Sequence, residues 1–282
     1  AFFGRRGHAP EQGPIDGLNC AAVLSHAVRS VVIPALGNDR LGVRIGLDHG
    51  PTTGVLWSAY GYPGVQEVTA TSFYVDVAAK LQQSASRNKV MLGQSLKEFL
   101  DLPDDLLRVK EVERKGVTET QPYVSPNYTG TDGRPMNYGQ FELEVDKYLQ
   151  LSPLAPSLDG DVSGLHVAAE LYDSQDGPCL GRAIPTGIAI GKGKWLRFQV
   201  VPPAVLVPPF QVRFRVRNNG AEAQAAGEKC GVPYANHESE YELNDVASHW
   251  EGTAYRGLHY MDVSLVANCR RSLNRTVAMY IV

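Results

Sequence analysis

A chain of 282 residues, 43% hydrophobic and 20% charged, is long enough for two ordinary domains and apolar enough to fill both cores. Its formal charge of -3 and pI near 6.2 exclude a protein built mainly to wrap a nucleic acid polymer, which needs a net basic face. Cys20, Cys179, Cys230 and Cys269 lie far apart without CxxC spacing; this excludes a zinc ribbon and a dense disulfide framework, and reads as buried free thiols.

In chain order, Ala1-Phe2-Phe3-Gly4 reads as the end of a core strand, and residues 5–14, rich in Gly, Arg and Pro, as a flexible loop. Leu18, Ala21, Leu24, Val28, Val31 and Ala35 recur at helical spacing and predict a helix lying on a sheet. No stretch reaches the roughly 18 to 20 apolar residues of a membrane span, and residues 200–210 are broken by four prolines, so the expectation is a soluble cytoplasmic chain with no membrane partner.

Residues 41–92 carry the densest pattern. Residues 43–47 alternate apolar and polar, Asp48-His49-Gly50-Pro51 supplies turn chemistry, and residues 54–60 resume the alternation, which predicts a hairpin. Ser72 is placed to cap a helix whose apolar face is Phe73, Val77, Leu81 and Ala85, and whose polar face is Asp76, Lys80 and Gln83. A short strand at 89–92, a helix at 94–100 and a strand around 107–112 complete the order α, β, β, α, β, α, β, which fits a ferredoxin-like α+β fold.

Residues 118–137, TETQPYVSPNYTGTDGRPMN, are dense in Pro, Gly, Thr and Asn with little periodicity and read as a linker. Seven short alternating strands follow, from FELEV at 141–145 to VAMYIV at 277–282, and predict an all-β sandwich with an immunoglobulin-like layout over 138–282. GIAIGKGKW, at 187–195, lacks P-loop spacing and reads as a turn. Trp250 and His259 are open to two readings, recognition of a ligand or partner and buried aromatic structure.

IGLDHGPTTG followed by VDVAAKL resembles the class III nucleotidyl cyclases, in which a glycine-bearing hairpin precedes a helix that carries site residues. Asp76 stands where that family usually has a ribose-orienting Asn, and Lys80 where it usually has a phosphate-binding Arg. Thr69, seven residues before Asp76, stands where adenylate-forming members commonly carry a purine-reading Asp, and its small hydroxyl points to a different base. The resemblance implies that residues 1–117 are the C-terminal portion of a cyclase catalytic domain. It implies two divalent ions, Mn2+ or Mg2+, with no ligand in this chain and both aspartate ligands upstream of Ala1. It also implies a homodimer with composite active sites.

Cyclisation needs the ribose 3'-hydroxyl to attack the α-phosphorus and expel pyrophosphate, so the protein must position groups and neutralise charge. Lys80 is the candidate cation and Asp76 its companion one turn away, although the two also fit an ordinary i,i+4 surface ion pair. Thr69 is the base-side candidate, with capping of the next helix as its bland alternative. Phe73 and Tyr74, at the helix entrance, would narrow a pocket toward a smaller ring, with core packing as the alternative for Phe73. Asp48-His49 carries no hydrolase chemistry, because no nucleophile elbow accompanies it.

FQVRFRVRNNGAEAQAAG, with Asn218, Asn219, Gly220, Ala221, Glu222 and Ala223, and the later Tyr255, Gly257 and His259 are similar to the C-terminal sensor domain of some bacterial adenylyl/guanylyl cyclases and cyclic oligonucleotide synthases. A cyclase portion joined to that sensor resembles the pyrimidine cyclases of bacterial anti-phage defence. The expected reaction is UTP to cyclic UMP and pyrophosphate, with a separate effector protein reached through the cyclic product. Cyclic CMP synthesis and a degenerate nucleotide-sensing scaffold are the alternatives.

Overall fold

The computed structural model describes residues 8–152, 165–201, 210–230, 237–243, 247–267 and 271–282, so the expected strand end at Ala1-Phe2-Phe3-Gly4 and Cys269 lie outside the described residues. The chain is α+β and divides into two compact units. One comprises Cys20–Phe99 and Asp104–Asp146, the other Ala1–Asn19, Leu100–Pro103 and Lys147–Val282.

The elements of the first unit are, in order, helix α1 (Gln12–Leu36, begun in the other unit and including a π-helical turn at Val28–Val32), β1 (Arg44–Leu47), β2 (Leu56–Tyr62), β3 (Val65–Thr71), α2 (Phe73–Ser84), β4 (Lys89–Gly93), α3 (Gln94–Leu100), β5 (Leu107–Arg108), β6 (Glu111–Arg114), β7 (Val117–Thr120), β8 (Tyr123–Val124), β9 (Tyr138–Leu143) and α4 (Val145–Gln150). The main sheet runs β1-β4-β9-β5, with β8 also on β9; β1 and β4 are parallel and the other pairs antiparallel.

Ser72 caps α2 as its sequence predicts, its hydroxyl accepting the Val75 N–H at 3.2 Å. Val77 and Leu81 are fully buried and form a core with Ala85, Met91, Val124 and Tyr138. Gly46 lets α2 lie directly on β1, since a Cβ there would sit 2.3 Å from the backbone N of Gln82 and 2.4 Å from the carbonyl O of Ala78.

The hairpin expected between 43–47 and 54–60 is not formed. β1 pairs in parallel with β4, and β2 pairs along its whole length with β3. The reason lies in competing turns: Pro63-Gly64, with Gly64 at φ 89°, suits a two-residue reversal, whereas the Asp48 side chain turns inward and takes the chain off the sheet.

The stretch expected as a linker, 118–137, lies within the first unit. β7 closes a hairpin with β6 through Lys115-Gly116, both at positive φ, and β8 joins β9. Gln140, fully buried, anchors this stretch by donating to the carbonyls of Gln121 and Tyr123 at 2.9 and 3.0 Å, and accepts the Ser84 hydroxyl at 2.8 Å. Correspondingly, β9, which contains the start of FELEV, belongs to the main sheet of the first unit and not to the sandwich.

The second unit holds β10 (His166–Tyr172), β11 (Cys179–Ala183), β12 (Ala189–Ile190), β13 (Trp195–Val201), β14 (Phe210–Arg217), α5 (Ala221–Cys230), β15 (His237–Leu243), β16 (Ala247–Gly252), β17 (Gly257–Ala267) and β18 (Arg271–Ile281). They make two sheets, β11-β10-β13-β16 and β12-β18-β17-β14-β15. Leu196, Phe198 and Val200 of the first sheet share one core with Phe214, Val263 and Met279 of the second, so the unit is a sandwich. The N-terminal part of α1 belongs to this unit: Gln12 donates to the Gly187 carbonyl and accepts the Ala189 N–H, both at 3.0 Å, and Asn19 donates to the Thr186 carbonyl at 2.7 Å.

Two further expectations are corrected. Cys20 and Cys179 are exposed free thiols, not buried ones, because Cys20 falls on the outer face of α1 and Cys179 begins edge strand β11. One helix, Gln12–Leu36, is long and apolar enough to cross a membrane by length and composition alone. Its face bearing Ile15, Leu18, Ala21, Ala22, Ser25 and His26 is buried, whereas the turns from Val28 to Leu36 hold no buried residue.

Candidate nucleotide site

The polar face of α2 carries Asp76 and Lys80, and the two do not form the i,i+4 ion pair that their spacing permits. Asp76 instead accepts the Tyr128 hydroxyl on Oδ2 at 2.5 Å, and Lys80 has no side-chain partner among the described residues. That bond pushes the Tyr128 phenol pKa up, since losing its proton would set a phenolate against the carboxylate.

Phe73, at the first turn of α2, is the centre of an aromatic cluster. Its ring lies edge-on to Tyr74 at 5.4 Å, to Tyr128 at 5.2 Å and to Tyr138 at 5.5 Å. Tyr74 lies over Gly50, where a Cβ would stand 2.3 Å from its ring, so the second glycine of IGLDHG leaves room for an aromatic side chain. Phe73 also packs against the α2 core.

Thr69 is half-buried on β3, opposite Ser58, and makes no side-chain hydrogen bond among the described residues. Its proposed capping role falls to Ser72. The structure therefore gathers Phe73, Tyr74, Asp76 and Lys80 on one helix, and gives Thr69 no bond to them.

Tyr138 is a group that sequence reasoning passed over, and Asp48 one that it read only as turn chemistry. Asp48 Oδ1 accepts the Leu96 N–H at 3.2 Å, and Ser95 N–H donates to the oxygen of the neighbouring Tyr138 at 2.8 Å. Oδ2 is buried without a partner. Burial pushes the Asp48 pKa up to about 6, against the opposing pull of the Tyr138 hydroxyl and of the His49 and Leu96 backbone. Gly93 faces this carboxyl, where a Cβ would meet Oδ1 at 2.4 Å, and His49 stacks on Phe99 at 3.7 Å. The signal in the sequence was the DHG turn itself, whose Asp turns inward.

This arrangement presents a free ammonium, a carboxylate with one oxygen unoccupied by Tyr128 and a row of aromatic edges. Such groups suit a phosphate, a ribose hydroxyl and a flat ring respectively. Among the described residues no three or more His, Cys, Asp or Glu converge on one point.

In the sandwich, the NNGAEA and YRGLH motifs form one knot. His259 Nδ1 accepts the Asn219 N–H at 3.1 Å and its Nε2–H donates to the Tyr255 carbonyl at 2.7 Å; burial lowers its pKa and keeps it neutral. Asn219 Nδ2 donates to the Leu258 carbonyl at 2.8 Å, while Gly220 and Gly257, at φ 100° and 134°, let the two turns approach. Glu222 Oε2 accepts from Lys192 Nζ at 2.7 Å and from the Arg256 N–H at 2.8 Å. Both ring nitrogens of His259 are thus committed to backbone. Trp250 packs against Tyr172 at 4.8 Å and under the Arg197 guanidinium at 5.7 Å.

Residues 150–271, most of which lie in the sandwich, match the model of the Adenylyl/Guanylyl and SMODS C-terminal sensor domain. Over nearly its whole length the chain resembles the bacterial pyrimidine cyclases. It is 35% identical over 278 residues to a cytidylate cyclase of Escherichia coli, covering 92% of this chain and 56% of the relative. A second E. coli cytidylate cyclase is 37% identical over 158 residues, 54% of this chain and 34% of the relative. One from Staphylococcus aureus is 26% identical over 279 residues, 94% of this chain and 62% of the relative. The chain thus spans between a third and two thirds of the length of these curated relatives. A PmoD soluble domain from Methylocystis superposes on 42% of this chain and 90% of its own with a TM-score of 0.27 at 12% identity, too distant to carry any argument.

Proposed function

We propose that this chain is part of a pyrimidine nucleotide cyclase that converts CTP to cyclic CMP and pyrophosphate. The observation that carries the proposal is the unpaired Lys80 one turn from Asp76, in a chain 35% identical over 92% of its length to a cytidylate cyclase. In the reaction the O3'–P bond forms, the bond from the α-phosphorus to the bridging oxygen breaks, and the hydroxyl proton is lost as pyrophosphate leaves. Lys80 stabilises charge on the phosphate oxygens, Asp76 accepts a ribose hydroxyl, and Phe73 and Tyr74 wall the pocket.

UTP is the second substrate, favoured by the small hydroxyl of Thr69 in place of a purine-reading carboxylate; the relatives' names favour CTP. On this reading the first unit is the ferredoxin-like catalytic portion and the second an immunoglobulin-like sensor. Two divalent ions, Mn2+ or Mg2+, assist the reaction on this reading. The enzyme is cytoplasmic and homodimeric, and serves anti-phage defence by signalling to an effector protein through the cyclic product. The β2–β3 hairpin supports the dimer. Trp57, Tyr60, Tyr62, Val65 and Val68 are between 51% and 84% exposed on an isolated two-stranded ribbon, which needs a packed face to be stable.

The test is to incubate the protein at its full natural length with each of ATP, GTP, CTP and UTP and Mn2+, and to identify products by mass. Cyclic CMP from CTP is expected; cyclic UMP alone would make UTP the substrate. No cyclic product would favour the scaffold reading, which Asp76 and Lys80 support by departing from the usual Asn and Arg.

A further inference from the structure

Tyr128 sits on the turn-rich stretch between β8 and β9, and that stretch is folded firmly upon itself. Met136 N–H donates to the Tyr128 carbonyl at 2.8 Å, Gly130 N–H to the Arg134 carbonyl at 2.8 Å, and Gly133 N–H to the Gly130 carbonyl at 3.0 Å; Thr129 and Pro135 form a β-bridge. Asn127, at φ 65°, makes the turn that delivers Tyr128 to α2. The tyrosine is therefore held at its backbone, at its ring by Phe73 and at its hydroxyl by Asp76, although 38% of it is exposed.

The geometry has a consequence for the helix face. An aspartate one turn before a lysine ordinarily swings toward it for a gain of about 0.3–0.5 kcal/mol. Here Tyr128 takes Asp76 Oδ2 in a bond to a charged acceptor, which is stronger than such an exposed pair. Asp76 is thereby fixed in one orientation, Oδ1 remains available, and Lys80 is left unneutralised for an anionic ligand.

We propose that Tyr128 is a positioning residue of the nucleotide site: it holds Asp76 by one oxygen so that the other accepts a ribose hydroxyl, while Lys80 stays free for the phosphates. This rests on the assignment of Asp76 and Lys80 to a nucleotide site made above. Tyr128 acts through Asp76, so its removal should matter only where Asp76 and a ribose hydroxyl are both present.

The experiment is a binding cycle on the full-length protein by titration calorimetry, using α,β-methylene CTP and α,β-methylene UTP, which keep the ribose hydroxyls but cannot release pyrophosphate. The 2',3'-dideoxy forms of both serve as controls. Tyr128→Phe keeps the ring and removes the hydroxyl. It is expected to weaken the analogue that the unsubstituted protein binds by about 5- to 10-fold, to leave the dideoxy form unchanged, and to add no loss in an Asp76→Ala background. Equal weakening of both forms, a full additional loss beside Asp76→Ala, or no change would each overturn the proposal. Lys80→Ala separates the two levels. If it binds both analogues normally, or if the unsubstituted protein binds neither, the site assignment fails and the inference with it. If Lys80→Ala loses binding while Tyr128→Phe does not, only the inference fails. A melting temperature for each variant shows that the fold is kept.

Discussion

Gly46 of β1 lies against the carbonyl of Ala78 on α2, so closely that a Cβ at position 46 would stand 2.4 Å from that oxygen. The contact is backbone to backbone, and no side-chain rotation can relieve it. It fixes how α2 lies on the sheet, and hence where the helix holds Asp76 and Lys80.

Gly46→Ala is therefore expected to destabilise the first unit by about 1–3 kcal/mol, the usual range for forcing extra volume into a packed core. Urea unfolding should show a lower midpoint with an unchanged slope. Gly37→Ala is the matched control for open space, since no atom lies within 4 Å of its Cβ position; its φ of 58° should cost about 1 kcal/mol.

Asp48 gives a pH dependence of definite sign. Its carboxyl titrates near 6 in the fold against 3.8 when unperturbed, so between these values the folded state holds a proton that the unfolded state does not. Stability from this group therefore rises as pH falls from about 7 toward 4, by at most about 3 kcal/mol. Asp48→Asn should remove that rise. Melting temperatures of both proteins at pH 7.5 and 5 check it, and an identical pH response would contradict the assignment.

His259 acts in the opposite direction in the sandwich. Burial lowers its pKa below the ordinary 6.5, so on acidification the unfolded chain protonates first and stability is lost below about 6.5. His259→Ala leaves the Asn219 N–H and the Tyr255 carbonyl without their partner and is expected to cost about 1–3 kcal/mol at pH 7.5. The variant should also lose part of the acid sensitivity in thermal unfolding.

Much of the helix that bears the candidate site was legible in the sequence. Ser72, the apolar stripe of Phe73, Val77 and Leu81, and the following strand and helix all follow from local pattern and capping chemistry. The partner of β1 was not, because pairing between β1 and β4 is decided by packing across α2, whereas two turn-like stretches compete locally. Tyr128 was hidden by composition: a Pro- and Gly-rich stretch reads as linker, yet here its turns close on themselves and bring a side chain back to α2. In the sandwich, β15 escaped notice because HESEYEL is charged, as an edge strand paired on one side is free to be. The sensor motif was legible as a resemblance, while its physical content, a neutral histidine joining two glycine turns, needed the structure.

The most direct measurement is cyclic nucleotide formation by the full-length protein and its Lys80→Ala variant, side by side, at saturating CTP and Mn2+. The account predicts cyclic CMP and pyrophosphate from the unsubstituted protein, a loss of at least about 100-fold in the variant, and the same melting temperature for both. Undiminished turnover by Lys80→Ala would contradict the claim that the polar face of α2 forms the site.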